Sequence, residues 1–319
     1  MFDMRHSVVG TWIQRQSSLA TRSLANKVAL VTGGTGGIGL AAAQAFAAAG
    51  AEVHVTGRSV ERGDSAAALA SGEGRIVFHQ ADLSTLDAAA TFTNDLERAL
   101  GGRKLDILCQ NLACMPDTHE LLSDGHERTL STNLLVFAVL NARLLPLMPT
   151  DGTGRVINVV SAGMHLHKLS VPRLRALDDP SGVGFDPIFA YCLTHRARVL
   201  LTKRWAEQHP SLFFAAVHPG WVETPGLRSA QAMAPFYKSM RRSLRTPAQG
   251  ADTIAWLATL DSKPPVASGC YMWDRAARRV DLFFAGTAAS ENDVDELVAY
   301  LDEQIGKTTK GADAAIPLM

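Results

Sequence analysis

The chain has 319 residues with 31 Lys and Arg against 31 Asp and Glu, so its formal net charge is zero. This balance argues against a nucleic-acid partner, which would require an excess of basic residues. The four cysteines show no metal-like clustering and fit a reduced intracellular setting. The longest apolar stretch, 134–148, is broken by Asn141, Arg143 and Pro146, so no transmembrane helix is predicted.

Residues 1–25 differ from the rest of the chain and are predicted to be an N-terminal extension. The first 27 residues carry four basic side chains but a single acid, Asp3. This composition is typical of a mitochondrial transit peptide. A helix docked on the domain, or lying on a membrane surface, is the alternative. The protein is therefore predicted to be intracellular, either cytoplasmic or, through residues 1–25, mitochondrial.

The first predicted elements are a strand, a glycine-rich turn and a helix in that order. Residues 28–31 are an apolar run typical of a strand buried on both faces, and 41–49 favour a helix. Between them, Gly34, Gly36 and Gly39 fit the fingerprint GxGxxG. Glycines let the backbone approach a pyrophosphate, and a helix N-terminus offers free N–H groups. The turn is predicted to bind a dinucleotide; a glycine-rich loop without a ligand is the alternative.

A second strand, 52–56, ends where dinucleotide folds recognise the adenosine ribose. An acid there would bind the 2′-hydroxyl, whereas an arginine would pair with a 2′-phosphate. Gly57 occupies the place of the acid, and Arg58 follows it. The sequence therefore favours NADP(H) over NAD(H), with a solvated loop arginine as the alternative.

The other strands are predicted at 75–79, 105–110, 155–160, 212–217 and 269–273, and the later helices at 86–100, 127–147, 187–208, 246–260 and 290–304. Seven strands alternating with helices predict one α/β domain over residues 26–319. Its fold is a single Rossmann-type doubly wound parallel sheet with helices on both faces.

Ligands of such sheets bind beyond the C-terminal strand ends. Candidate side chains follow these ends at Asp82, Asn111, Ser161 and Thr224. The pattern Ala81-Asp-Leu-Ser84 could instead be a turn with a helix cap before the helix 86–100, and Asn111 could simply hold neighbouring loops together.

Helical spacing joins two further candidates. Tyr191 and His195 are four residues apart, which places them on one helix face, one turn apart. His165 and His167 could suggest a metal pair, but no third ligand has suitable spacing, and no metal is predicted.

Taken together, these residues resemble the short-chain dehydrogenase/reductase family over about residues 26–275. Thr32, Gly33, Gly37 and Gly39 match its TGxxxGxG motif. Within the family the chain is similar to the group called dehydrogenase/reductase family member 12, most clearly over Arg204-Trp-Ala-Glu-Gln-His-Pro210, His218-Pro-Gly-Trp-Val-Glu-Thr-Pro-Gly226 and Gln249-Gly-Ala-Asp-Thr-Ile-Ala-Trp256.

The resemblance implies hydride transfer between NAD(P)(H) and an alcohol or carbonyl. It implies that Tyr191 is the acid/base, that Ser161 holds the substrate oxygen, and that Asn133 supports a water beside the catalytic centre. It also implies a homo-oligomer. The cofactor-binding residues that it implies, together with those predicted above, are Thr32, Gly33, Gly34, Thr35, Gly36, Gly37, Ile38, Gly39, Arg58, Asp82, Leu83, Asn111, Leu112, Ala113, Pro219, Gly220, Val222 and Thr224.

The chain departs from the family pattern at two places. His195 stands where the family has a lysine that binds the nicotinamide ribose and lowers the tyrosine pKa. Histidine has a reference pKa of about 6.5 and would be mostly neutral at pH 7. Losing the cation could slow the reaction roughly a hundredfold or more. Leu112 and Ala113 replace two small residues beside the cofactor ribose, and their bulk could weaken its binding.

The sequence thus predicts an NADP(H)-preferring oxidoreductase with an atypical active site. Its substrate is expected to be a partly apolar carbonyl or alcohol, because the stretches 164–189 and 227–245, which would cover the pocket, contain apolar residues. The competing hypothesis is a non-catalytic dinucleotide-binding or scaffold protein, which His195, Leu112 and Ala113 favour.

Overall fold

The fold is an eight-stranded sheet between two layers of helices, seen in a computed structural model that describes residues 23–260, 265–282 and 286–308. The strands are β1 (Val28–Val31), β2 (Glu52–Gly57), β3 (Arg75–Gln80), β4 (Ile107–Gln110), β5 (Arg155–Val159), β6 (Phe213–Val217), β7 (Cys270–Trp273) and β8 (Ala276–Arg278). Their order across the sheet is β3-β2-β1-β4-β5-β6-β7-β8. β1 to β7 run parallel. The predicted Rossmann-type fold is confirmed.

The helices follow the strands in alternation. They are α1 (Gly37–Ala48), α2 (Val60–Ala68), α3 (Leu86–Leu100), α4 (Arg128–Leu130), α5 (Val136–Leu144), α6 (Val171–Arg175), α7 (Pro187–Gln208), α8 (Pro225–Ser229), α9 (Ala234–Met240), α10 (Pro247–Ala258) and α11 (Glu291–Thr308). Short 3₁₀ helices lie at Leu145–Leu147, Ala162–His165, Ala176–Asp178 and Gln231–Met233.

β1 shows why the strands are apolar on both faces. Val28 and Leu30 pack into one core cluster with α3, α5 and α7, whereas Ala29 and Val31 pack into a second cluster with α1 and α10. Successive side chains of a strand point to opposite faces, so helices must cover both. The strand order reverses between β1 and β4, and the crevice beyond their C-terminal ends is where such sheets bind ligands.

An eighth strand adds to the predicted seven. β8 pairs antiparallel with β7 through a two-residue turn at Asp274 and Arg275, whose φ angles are 54° and 56°. Such turns usually contain glycine or asparagine. The Asp-Arg pair carries neither, so no hairpin signal marked this three-residue strand in advance.

The predicted helix 127–147 is not continuous. A π-helical segment, Ser131–Leu135, separates α4 from α5, and the 3₁₀ turn Leu145–Leu147 ends it. By length and composition the stretch Arg128–Leu147 could cross a membrane, but most of it is buried inside the protein. Its apolar character is explained by its position in the core, where Leu130, Leu134 and Leu140 are buried. The predicted extension 1–25 falls, apart from residues 23–25, outside the described residues.

Candidate functional site

The glycine turn lies between β1 and α1, at the reversal of strand order. Gly33 and Gly37 have φ angles of 64° and 55°, a backbone region that favours glycine. Gly36 is extended, precedes α1, and has open space where a Cβ would stand. α1 has 12 residues and no acid in its first turn. An open approach to the N-terminus of a helix fits the pyrophosphate of a dinucleotide.

The other side of the turn is packed against the protein itself. A Cβ on Gly34 would come 2.7 Å from Cγ1 of Val55. A Cβ on Gly39 would meet the carbonyl of Gly33 and come 2.6 Å from Nδ2 of Asn111. Both glycines are therefore required by internal packing, while Gly36 faces the crevice.

The C-terminal end of β2 leaves little room for a ribose-binding acid. A Cβ on Gly57 would lie 2.5 Å from Oγ1 of Thr35. Arg58 is exposed; its carbonyl accepts a hydrogen bond from Nε2 of Gln80 at 3.3 Å. Within the described parts of the chain, its guanidinium forms no hydrogen bond or ion pair.

Asn111 ties the end of β4 to the glycine turn. Its Nδ2 donates to the carbonyls of Thr32 and Gly33 at 3.1 and 3.3 Å. Oγ1 of Thr32 accepts from the backbone N–H groups of Asn111 and Leu112, both at 3.1 Å. The side chain of Asn111 thus joins two neighbouring loops, which is the structural role that the sequence left open.

The predicted residues after β3 are split between surface and core. Asp82 is exposed and Leu83 is buried. The cap of α3 is Thr85, whose Oγ1 accepts from the N–H of Ala88 at 3.3 Å. The segment that leads into α3 is therefore a turn with a helix cap, as the alternative to a cofactor contact predicted, and the capping residue is Thr85.

Tyr191 and Ser161, predicted from distant parts of the sequence, come together. Ser161 follows β5, Tyr191 lies near the start of α7, and Ser161 is near enough to lower the pKa of the Tyr191 phenol. A Cβ on Gly163 would meet both Oγ of Ser161 and Sγ of Cys192, the neighbour of Tyr191. Ser161 Oγ also accepts from the N–H of Gly163 at 3.2 Å. Burial raises the pKa of Tyr191 to about 12, against the opposing effects of Arg198 and Ser161. The phenol is therefore protonated at neutral pH.

His195 packs against Tyr191, with their ring centroids 4.3 Å apart. Its side chain is only 2% exposed, and neither ring nitrogen has a hydrogen-bond partner among the described residues. Burial lowers the pKa of His195 well below its usual value, and the positive charge of Arg198 lowers it further. The imidazole is therefore neutral at pH 7.

Arg198 is the charged residue of this region that the sequence reasoning missed. Its side chain is fully buried, and its two terminal nitrogens donate to the carbonyls of Leu112 (3.1 Å) and Gln110 (2.9 Å). Burial lowers its pKa to about 10, which leaves it protonated at pH 7. Its spacing of seven residues from Tyr191 places it on the same helix face, and that spacing was the available signal.

Asn133 lies inside the π-helical segment and bridges to the loop after β4. Its Oδ1 accepts from the N–H of Cys114 at 2.8 Å, and its Nδ2 donates to the carbonyl of Cys114 at 2.9 Å. A weaker bond of 3.4 Å reaches Oγ1 of Thr194 in α7. A π-helical turn widens the helix and often marks a functional position. No sequence signal indicated it.

The loop after β6 lies across the opposite side of the glycine turn. Thr224 caps α8, its Oγ1 accepting from the N–H of Leu227 at 3.2 Å, and its methyl group would touch a Cβ on Gly37. Val222 packs on Gly250 beside Ile38. The loop thus lies directly over the glycine turn.

Arg245, also missed, clamps this loop. It donates to the carbonyl of Pro219 at 3.2 Å and pairs with Asp274 at 2.6 Å, beneath Gly220, whose φ is 82°.

Within residues 23–260, 265–282 and 286–308, no group of three or more His, Cys, Asp or Glu side chains could hold a metal ion.

Sequence comparisons agree with this geometry. The family profile described as short chain dehydrogenase matches residues 27–171. The chain is 36% identical over 279 residues to dehydrogenase/reductase SDR family member 12 of Bos taurus, covering 86% of this chain and 84% of that protein. It is 28% identical over 256 residues to retinol dehydrogenase 12 of Homo sapiens, covering 79% of this chain and 78% of that protein.

Solved structures give the same result. A short-chain dehydrogenase/reductase from Serratia marcescens superimposes with a TM-score of 0.62 at 25% identity, over 78% of this chain and 96% of that chain. A second structure, titled short chain dehydrogenase/reductase family protein, has a TM-score of 0.59 at 27% identity over the same shares of the two chains.

Proposed function

Because the chain belongs to the short-chain dehydrogenase/reductase family, we propose that it is an NADP(H)-preferring oxidoreductase that interconverts a carbonyl and an alcohol. The observation that carries this proposal is the convergence of the Ser161 hydroxyl, after β5, and the Tyr191 phenol, on α7, at the same edge of the sheet as the glycine turn, with Ser161 near enough to lower the pKa of the phenol. A hydroxyl and a phenol in contact can together hold and protonate one substrate oxygen.

The glycine turn would hold the pyrophosphate of the coenzyme against the N-terminus of α1. The preference for the 2′-phosphate is supported by Gly57, where a side chain would collide with Thr35, and by Arg58, whose guanidinium is exposed beside it. Arginine binds phosphate through several parallel hydrogen bonds. When bound, NADPH supplies the hydride.

The protonation state of Tyr191 favours carbonyl reduction at neutral pH. With a pKa raised to about 12, the phenol carries the proton that a carbonyl oxygen takes up during reduction. Ser161 would donate a hydrogen bond to the same oxygen as negative charge develops on it. Alcohol oxidation would require the scarce phenolate form.

His195 occupies the position at which the family is expected to carry its lysine. A neutral and covered imidazole supplies no positive charge to the coenzyme or to Tyr191. This observation favours the second candidate function, a dinucleotide-binding protein without turnover. The enzyme is preferred because the contact of Tyr191 with Ser161 is retained.

The proposed substrate is partly apolar. Leu166, just after Ser161, is 65% exposed, and Val183, before α7, is 88% exposed. The ring of Trp221, in the loop after β6, contacts that of Phe236 in α9, tilted by 46° with centroids 4.4 Å apart. The name of the retinol dehydrogenases among the relatives makes an apolar aldehyde a suitable first test.

The deciding experiment measures NADPH binding and turnover separately. The full chain is titrated with NADPH in a thermal-shift assay, then assayed by loss of NADPH absorbance with retinal, long-chain aldehydes and aromatic ketones. Wild type is expected to reduce at least one of them. Tyr191→Phe should lower the rate at least about 100-fold while keeping the NADPH-induced rise in Tm. Tyr300→Phe, in α11, is the matched control and should leave the rate unchanged.

Two results would contradict the enzyme. Binding of NADPH without turnover of any test carbonyl between roughly pH 5 and 9 would favour the non-catalytic dinucleotide-binding protein. No NADPH-induced rise in Tm would contradict both candidate functions.

A further inference from the structure

A buried guanidinium lies in the same layer of α7 as the proposed catalytic phenol. Arg198 has no exposed surface, and its side chain crosses from α7 to the C-terminal end of β4. There it donates to the carbonyls of Gln110 and Leu112, and its guanidinium also stands 4.5 Å from the ring centroid of Phe137. These contacts fix the charge in one place, and no carboxylate among the described residues forms an ion pair with it.

Helix geometry directs that charge towards Tyr191. Residues seven apart lie on one face about 10.5 Å along the axis. Side chains of a helix lean towards its N-terminus, the end of α7 that carries Tyr191, and the guanidinium of Arg198 accordingly reaches the C-terminal end of β4. His195 lies between them in α7 and is neutral, so it adds no charge of its own.

We propose that Arg198 is the positioning residue that supplies the fixed positive charge facing the Tyr191 phenol, a charge that residue 195 does not supply in this chain. The catalytic significance of this inference rests on the proposed function. The effect of Arg198 on the pKa of Tyr191 can be measured without coenzyme or substrate. By holding the carbonyls of Gln110 and Leu112, Arg198 also couples that charge to the loop that Asn111 ties to the glycine turn.

The surroundings of the phenol agree with this assignment. Among the influences that lower the pKa of Tyr191, that of Arg198 is the largest, ahead of that of the Ser161 hydroxyl. The thiols that face the phenol, Cys192 from α7 and Cys114 from the loop after β4, oppose it, and burial raises the pKa of both. The thiol of Cys109 in β4 lies near Arg198 and is likewise protonated at neutral pH.

The test titrates Tyr191 directly and needs no substrate. Fluorination of tyrosine lowers its phenol pKa, so the full chain labelled with 3-fluorotyrosine can be titrated by ¹⁹F NMR within the pH range of the native fold. The chain has four tyrosines, and Tyr191→Phe identifies the resonance of Tyr191. Wild type is compared with Arg198→Gln, Arg198→Lys and Arg204→Gln, the last an arginine of the same helix that pairs with Asp295 and serves as control.

Arg198→Gln is expected to raise the pKa of fluorotyrosine 191 by roughly one unit, as the loss of one charge at such a distance implies. Arg198→Lys and Arg204→Gln should stay within about half a unit of wild type, since the charge is kept in one and remote in the other. An unshifted titration in a folded Arg198→Gln variant would overturn the proposal.

If Arg198→Gln does not fold, Arg198→Lys decides alone. If the pKa of fluorotyrosine 191 in the lysine variant is about one unit or more above that in wild type, a positive charge at position 198 does not set this pKa. That result would contradict the inference. Turnover and NADPH binding are measured on the same samples. If the pKa of fluorotyrosine 191 shifts as expected but no carbonyl is turned over, this inference stands and the proposed function fails. If a carbonyl is turned over but the pKa does not shift, the proposed function stands and this inference fails.

Discussion

At the scale of single residues, the environment of Tyr191 matters as much as its identity. A free tyrosine has a pKa near 10, yet burial beside Cys192 and Cys114 raises that of Tyr191 to about 12. A protonated phenol serves as an acid without further activation. The same phenol is a poor base, because its pKa stays near 12 even with the opposing positive charge of Arg198.

This asymmetry predicts the pH dependence of the two reaction directions. Carbonyl reduction should change little between about pH 6 and 9, because the phenol stays protonated far below its pKa. Alcohol oxidation should rise towards tenfold per pH unit over the same range, because the phenolate fraction grows in that proportion. Initial rates in both directions with one alcohol–carbonyl pair test this. Oxidation that is already maximal at pH 7 would contradict it.

Arg58 makes a second prediction at this scale. Arg58→Ala should weaken NADPH binding at least about tenfold, as the loss of a charge-assisted phosphate contact implies, and should change NADH binding little. Fluorescence titration with both coenzymes measures the ratio. Arg62→Ala, one turn further along α2, is the control. Equal losses for NADPH and NADH would remove Arg58 from the 2′-phosphate site.

At the scale of elements, the β1–turn–α1 unit separates glycines needed for the fold from one that faces the crevice. Gly39 and Gly34 have no room for a methyl group, whereas Gly36 has open space and an extended backbone that any residue adopts. The motif reads the same at all three positions, so only the packing of Val55 and Asn111 against the turn distinguishes them.

Two alanine substitutions should therefore fail in different ways. Gly39→Ala should lower the free energy of unfolding by roughly 1–3 kcal/mol, because its Cβ meets the Gly33 carbonyl and Asn111. Gly36→Ala should fold with near wild-type stability but bind NADPH more weakly, since its methyl group would occupy the phosphate approach. Urea denaturation and coenzyme titration of both variants give the answer. Loss of stability in Gly36→Ala with coenzyme binding intact would contradict this assignment.

At the scale of the whole molecule, burial of several histidines links stability to pH. Desolvation lowers the pKa of each of them, and that of His218 falls to about 4. The others are His54, His79, His165, His167, His195 and His209. A histidine with a lowered folded-state pKa binds its proton more tightly in the unfolded chain. The free energy of unfolding therefore decreases as the pH is lowered below about 6.5.

The free energy of unfolding should accordingly fall between about pH 6.5 and 4, with His218 alone contributing up to about 3 kcal/mol. His218→Asn keeps an acceptor for the N–H of Ala162, which Nδ1 of His218 accepts at 3.3 Å, but cannot titrate. Its stability should therefore fall less steeply over this window. Denaturation curves at pH 7 and pH 4.5 measure the difference; identical slopes would exclude His218 as a contributor.

The sequence by itself determined what local pattern can specify. The apolar runs of β1 and β6, the glycine turn and the bounds of α7 at Pro187 and Gln208 follow from periodicity, glycine and capping signals that neighbouring residues carry. The family motif identified Tyr191 and Ser161. Their convergence could then be expected from the parallel topology, which brings strand ends to one edge.

Only the tertiary structure decided the electrostatics of the site. Arg198 binds carbonyls 86 and 88 residues away in sequence, and the burial of His195 depends on which parts of the chain cover α7. The π-helical segment at Asn133 and the Asp274–Arg275 hairpin likewise had no local signal. A charge and its solvation depend on all the groups packed around them, and the spacing of residues along one segment does not contain that information.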